Sequence, residues 1–319
     1  MEIILLFLAV GVGIILLTKS SDIILDKITA LGIKIKLNDV VMGMVFLAFA
    51  TALPEISITG YSISNGTGEI ALGGVLGSNI TNFGLALGIA FLMLGKKEKI
   101  FIEKNNVKKL LIYLTIAIFV VLVALTAPIT GFVIGPILIF IFFSYVLYCV
   151  KTGKEYAVET TGKKFGITST IVLLLAVLIL ILSSKLVVDN AVDICVYFNL
   201  QESFVGAAII GVGTALPEII ILMNTAKRKK YLLVIGNAIG SSIINITLVI
   251  GILAVFSTTS IDLPILFVLG LYNLLLIGIL GYFVAIRKVI DREAGLMLIG
   301  VYVLYLIILS STQLLTLLN

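Results

Sequence analysis

The sequence predicts an all-α polytopic membrane protein with ten transmembrane helices in two inverted-topology repeats of five. Three observations carry that prediction. The chain is 61% hydrophobic and 12% charged, with a mean hydropathy of +1.26, far outside the range of a soluble domain. One segment, Thr51-Ala52-Leu53-Pro54-Glu55-Ile56, recurs unchanged in the other half of the chain as Thr214-Ala215-Leu216-Pro217-Glu218-Ile219. Finally, the basic residues crowd alternate loops.

Apolar periodicity and helix breakers place the spans near 3–30, 37–62, 70–94, 108–127, 130–150, 166–197, 201–226, 231–256, 264–286 and 294–317. The first is not a signal peptide by pattern, since Glu2 precedes the apolar run and the first basic residue, Lys19, follows it. The long runs do not show the short alternating segments of a membrane barrel. The offset that carries Thr51 onto Thr214 also carries each of the first five spans close to one of the second five. By the same offset Asp26 maps to Asp189, Gly43 to Gly206, Gly73 to Gly236, Gly77-Ser78 to Gly240-Ser241, Asn82 to Asn245 and Gly88 to Gly251. The chain therefore reads as an internal duplication. Residues 1–150 form the first repeat, 151–165 a polar cytoplasmic linker and 166–319 the second repeat.

Charge sets the expected topology. Lysine and arginine gather at Lys27–Lys36, Lys96–Lys109, Lys151–Lys164, Lys227–Lys230 and Arg287–Arg292, and only Lys19 and Lys185 lie elsewhere. The loops between these clusters carry no basic residue, so the positive-inside rule puts the basic loops in the cytoplasm and both termini outside, in the cell membrane. Five spans per repeat is an odd number, which gives the two halves opposite orientation. The net charge of +5 is thus topology-setting charge, and no nucleic-acid partner is expected. Cys149 and Cys195 have no metal-ligand or redox spacing and read as packing residues. There is no histidine, so proton chemistry falls to carboxylates.

The repeated motif places a proline and a glutamate at membrane depth in each half. Pro54 and Pro217 have no N–H to give the carbonyls of Ala50 and Gly213, and the freed carbonyls near 48–51 and 211–214 need protein, water or an ion. An intramembrane carboxylate is costly and marks function, so Glu55 and Glu218 indicate one cation site between the halves. Carboxylate and carbonyl oxygens are the set that Ca²⁺ and Na⁺ prefer, and no soft ligand lies nearby. The Gly73–Asn79 and Gly236–Ser242 segments add small residues four apart, a spacing that serves close helix packing, with ion binding as the alternative. Asn82 and Asn245 lie one turn beyond Ser78 and Ser241, on the same helix face. Ion or water coordination and helix–helix bonding are both open for that pair.

These paired segments, about 40–92 and 203–255, resemble the α-repeats of the calcium/cation antiporter superfamily, on the prokaryotic Na⁺/Ca²⁺ exchanger branch. The resemblance covers essentially the whole chain. It implies Glu55 and Glu218 as the central Ca²⁺ carboxylates, with the backbone carbonyls of Thr51 and Thr214. It also implies Na⁺ sites at the carbonyls of Ala48 and Gly211 and the hydroxyls of Ser78 and Ser241. Asn82 and Asn245 match a mid-membrane polar pair for Na⁺, water or a proton. K⁺-dependent relatives tend to carry Asp where this chain has Asn245, so K⁺ dependence is not expected. The family signature usually reads Gly-Thr-Ser-Leu-Pro-Glu, whereas both copies here have alanine, Ala52 and Ala215, and the first also has Ala50. Two candidate Na⁺ ligands are therefore missing.

The expected function is antiport of Ca²⁺ against Na⁺ at a midplane site by alternating access, without cofactor or enzymatic chemistry, in a chain that works as a monomer. As the resemblance implies, spans 1 and 6 would slide over a fixed core. Asp22, Asp26, Asp189 and Asp193 read as interfacial acids beside Lys19, Lys27 and Lys185, with a role in ion access as the alternative. An antiporter of H⁺ against Ca²⁺ or another divalent cation, using the same glutamates, is the main alternative function. A channel would assemble its acidic ring by oligomer symmetry. An enzyme would need a nucleophile or cofactor motif that this chain lacks.

Overall fold

The computed structural model describes residues 2–34, 49, 52–96, 98–101, 111–112, 114–120, 131–152, 167–227, 229, 231–257 and 263–318. Helix α1 spans Glu2–Lys34 and α2 spans Leu53–Asn65. Helix α3, Gly68–Thr81, passes through a π-helical turn at Asn82–Ala86 into α4, Leu87–Leu92. A two-residue strand, β1 (Ile100–Phe101), precedes helical residues 114–120 and α5, Gly131–Thr152. The second half begins with α6, Ile167–Phe198, and a short α7, Glu202–Val205, which enters a π turn at Gly206–Ile210 and then α8, Gly211–Lys227. Helix α9, Tyr231–Ile244, again passes through a π turn, Asn245–Val249, into α10, Ile250–Phe256. Helix α11 (Leu263–Gly281) ends in a π turn at Tyr282–Arg287, and strand β2 (Val289–Ile290) leads into α12, Arg292–Leu318.

The helices obey local rules. Pro54 sits in the first turn of α2, where its missing N–H costs nothing. The same helix ends at Gly66, left-handed at φ 72°, with the Thr67 N–H donating to the Ser62 carbonyl at 3.0 Å. Asp291 accepts the free N–H groups of Glu293 and Ala294 at the start of α12. Antiparallel pairing of β1 with β2, and the Lys229–Glu98 ion pair at 2.7 Å, tie segments of the two halves together at the basic end. The strands are a small addition to the predicted all-α fold.

Among the described residues, six helical stretches are long and apolar enough to cross a bilayer: Ile3–Ile24, Gly68–Leu92, Ile167–Phe198, Val234–Phe256, Pro264–Arg287 and Arg292–Leu315. Glu202–Leu216 and Glu218–Lys227 make a seventh, joined at a 44° bend. The predicted spans near 37–62 and 108–127 lie partly outside the described residues. Burial follows the pattern of a multi-span membrane protein. Large apolar side chains such as Ile4, Leu8, Ile15, Phe140, Leu174 and Phe267 face outward, while Glu55, Ser78, Asn82, Glu218 and Asn245 are buried.

The elements of the duplication coincide. Helices α3 and α9 have the same length, and the repeat offset that carries Gly68 onto Tyr231 also carries the π turn at Asn82 onto the one at Asn245. The two units interlock. A Cβ at Gly73 would collide with the Ser203 carbonyl, one at Gly206 with the Ile70 carbonyl, and one at Gly77 would lie 2.5 Å from the Ala207 carbonyl. Glycine there lets the backbone of α3 touch that of the 203–211 segment, as the packing reading expects of Gly73 and Gly77; a Cβ at Gly236, the counterpart of Gly73, would meet nothing within 4 Å. The interior forms two apolar clusters: a large one around α3, α4 and α8–α12, and a smaller one centred on α1 and α6, with Ile14, Leu17, Leu180, Val187 and Val188.

Gly77→Val therefore forces the two halves apart. Overpacking of this kind costs about 1–3 kcal/mol, to be read as a lower thermal midpoint of the detergent-purified protein. Gly278→Ala, whose Cβ meets nothing within 4 Å, leaves the midpoint unchanged.

Candidate functional site

Two carboxylates meet at the centre of this interlock. Glu55 lies in the first turn of α2 and is 2% exposed; Glu218 lies in α8, directly after Pro217, and is 1% exposed. The sequence predicts a helix break at both prolines, and the two halves answer differently. Pro54 opens a helix, so Glu55 sits at the positive end of the α2 dipole. Helix α8 runs on through Pro217 and bends instead, by 44°.

Each carboxylate is held by one oxygen and leaves the other unpaired. Ser78 Oγ donates to Glu55 Oε1 at 2.8 Å, and Asn82 Nδ2 donates to Glu218 Oε2 at 2.6 Å. Glu55 Oε2 and Glu218 Oε1 are buried without a partner, and so are Asn82 Oδ1 and Asn245 Oδ1. The hydroxyls of Thr214 and Ser241 approach Glu55 and Glu218 respectively, and the two carboxylates lie within Coulombic reach of one another. Ser241 Oγ also lies 3.3 Å from the Ala238 carbonyl, and Thr214 Oγ1 lies 3.5 Å from the Gly211 carbonyl. Asn245 Nδ2 donates across the halves to Asn79 Oδ1 at 3.2 Å.

The arrangement is anionic and rich in hard oxygens. No lysine or arginine is among the buried side chains of the described residues. Two carboxylates desolvated without a protein counter-charge need a cation, since uncompensated buried charge is strongly destabilising. Four unpaired oxygens, two of them anionic, are a fitting donor set for Ca²⁺ or Na⁺. Among the described residues there is no group of three or more Cys, Asp or Glu, so the charge on offer is that of the two glutamates.

Of the sequence-predicted residues, Glu55, Glu218, Ser78, Asn82, Thr214 and Ser241 converge here, while Asn245 donates to Asn79, the residue after Ser78. Thr51 and Ala48 lie outside the described residues, as does the side chain of Pro217. Gly211 opens α8, close to the backbone of Gly74 and Ser78. Ala52 and Ala215 are fully buried methyl groups that bring no oxygen. Two residues escape sequence reasoning. Asn79 has Ser242 as its repeat counterpart, and Asn273 has Leu110, so the duplication does not flag either. Asn273 Nδ2 donates to the Leu76 carbonyl at 3.2 Å and steadies α3 just before Ser78.

The chain resembles known membrane proteins along almost its whole length. The family model described as sodium/calcium exchanger protein matches residues 5–151 and 168–311. The uncharacterized membrane protein MJ0091 of Methanocaldococcus jannaschii is 28% identical over 94% of this chain and 97% of its own length. The sodium/calcium exchanger MaX1 of Methanosarcina acetivorans is 24% identical over 95% of this chain and 98% of its own. The solved structure of the sodium-calcium exchanger NCX_Mj soaked with 100 mM Na⁺ and 10 mM Sr²⁺ superposes with a TM-score of 0.64 at 26% identity, covering 95% of this chain and 98% of that one.

A ligand that binds only the folded site stabilises it by about 2.7 kcal/mol at a hundred times its dissociation constant. Ca²⁺ is therefore expected to raise the thermal midpoint of the wild-type protein and to leave those of Glu55→Gln and Glu218→Gln unmoved.

Proposed function

The chain belongs to the sodium/calcium exchanger protein family, and on that premise we propose that it exchanges Ca²⁺ for Na⁺ across a membrane by alternating access. It is a secondary transporter and not an enzyme. The observation that carries the reading is the pair Glu55 and Glu218, buried together with one unpaired oxygen each. One Ca²⁺ neutralises both carboxylates, and so do Na⁺ ions that share them. Because the two loads compete for the same oxygens, each one displaces the other, and that competition gives antiport so long as the empty site does not cross.

In this reading Glu55, Glu218 and the carbonyls of Thr51 and Thr214 hold Ca²⁺. The carbonyls of Ala48 and Gly211 and the hydroxyls of Ser78 and Ser241 serve Na⁺. Asn82 and Asn245 complete the site, with Asn82 already bound to Glu218. Support for a ten-helix, inverted architecture (1–150, linker 151–165, 166–319) comes from the matching offset of α3 and α9 and from the odd number of spans in each repeat. The alternating basic loops favour a cell-membrane protein with both termini outside, and one chain supplies every ligand, so a monomer suffices.

Helices α1 and α6 are the moving part. They pack chiefly on each other and centre a smaller apolar cluster, which Ile58, Ile70, Val205 and Ile210 of the core also join. Among the described residues, polar side-chain ties from α6 to the core include Ser57 to Ser184 at 3.0 Å and to the Leu180 carbonyl at 3.4 Å, and Tyr61 to Asp189 at 3.0 Å. An apolar seam can slide without breaking a network of directional bonds.

Two experiments test this. Uptake of ⁴⁵Ca²⁺ into proteoliposomes is expected under an outward Na⁺ gradient and absent in Glu55→Gln. Uptake driven only by an outward H⁺ gradient would assign a proton counter-ion, with Ala52 and Ala215 marking the change. A cross-link between Ile14→Cys and Gly213→Cys, positions in contact across α1 and α8, is expected to stop transport. Unimpaired exchange after cross-linking would refute the sliding of α1.

A further inference from the structure

The face of α2 that carries Glu55 carries two more oxygens. Thr59 and Ser62 follow Glu55 at i+4 and i+7, which puts all three on one line along the helix. Thr59 is 1% exposed and Ser62 0%. Neither hydroxyl has a hydrogen-bond partner, and Thr67 Oγ1, just past the end of the helix, has none either. A threonine or serine inside a helix ordinarily donates to the carbonyl four residues back, as Thr81, Thr225 and Thr247 do here. Glu55 Oε2, Thr59 Oγ1, Ser62 Oγ and Thr67 Oγ1 thus make a file of unpaired buried oxygens. It runs from the carboxylate to the turn at Gly66, about 10 Å of helix from Glu55 to Ser62.

The second half has no such file. The repeat counterparts of Thr59 and Ser62 are Leu222 and Thr225. Leu222 belongs to the large apolar cluster, and Thr225 donates to the Ile221 carbonyl at 2.8 Å. The file is therefore not a by-product of the duplicated fold.

We propose that Thr59 and Ser62 form a further cation site, a staging point for a partly dehydrated Na⁺ or Ca²⁺ between the 63–67 turn and Glu55. Neutral hydroxyl oxygens are hard ligands without charge, which suits brief occupancy beside a carboxylate that holds the ion more firmly. The site rests on the exchange reading above and adds a sided path to it: ions arriving from the face that bears the 63–67 turn use it, and ions arriving from the opposite face do not.

The test compares right-side-out and inside-out membrane vesicles carrying wild type or the double variant Thr59→Val, Ser62→Ala. On the face bearing the 63–67 turn, half-saturating Ca²⁺ is expected to rise about five-fold, the scale of one weak ligand contact. On the other face it stays at the wild-type value. The substitutions delete no hydrogen bond, so the variant keeps its thermal midpoint. A folded variant whose Ca²⁺ dependence is unmoved on both faces, or moved equally on both, overturns the staging site. Wild-type vesicles without Na⁺-driven uptake would overturn the exchange reading itself.

Discussion

Two negative charges held out of water without a positive side chain are the constraint on which the rest of this molecule depends. Glu55 and Glu218 stay ionised only while something cationic sits between them. Their neighbours are arranged to leave room for it. Ser78 and Asn82 each engage one carboxylate oxygen and leave the other unpaired. A salt bridge from lysine would satisfy the glutamates permanently and leave no place for cargo. Among the described residues no buried lysine or arginine does so.

Holding that pair together requires backbones to come closer than side chains normally allow. The contacts between Gly73, Gly77 and Gly206 and carbonyls of the opposite half bring α3 against the 203–211 segment. This approach places Asn82 of the first half within 2.6 Å of Glu218 of the second. Proline completes the geometry by two routes. One carboxylate sits at a helix start and the other just beyond a bend, and in both cases the regular ladder of backbone bonds is interrupted beside the charge. The π turns that begin at Asn82 and Asn245 add a local widening to the same two helices, a feature that often accompanies functional positions.

Much of this was legible in the sequence because duplication repeats its own signal. Six identical residues at a fixed offset located Glu55 and Glu218, and the same offset located Asn82 and Asn245. Long apolar runs placed α6, α12 and the stretch from α9 through α10 to within a few residues. What repeats does not reveal is where the halves differ. Pro54 and Pro217 have the same neighbours in sequence, yet one starts a helix and the other bends one. Asn79, Asn273, Thr59 and Ser62 have no identical counterpart in the other half, so a search by symmetry passes over them. The separate apolar cluster of α1 and α6 also leaves no mark in hydropathy, since every side of those helices reads as apolar. Only packing tells the lipid-facing leucines from those at the seam.

The crossing of partners between halves limits how such a protein could be built. Glu218 takes its hydrogen bond from Asn82, and Glu55 is approached by Thr214, so neither half of the chain holds a finished site of its own. Two separate copies of one half, paired about a two-fold axis, would have to present the same surface to each other. Every substitution would then fall on both sides at once. Fusion into a single chain lifts that requirement. An asparagine can brace one crossing and a leucine fill its mirror position, and the two mouths of the transporter can be tuned independently.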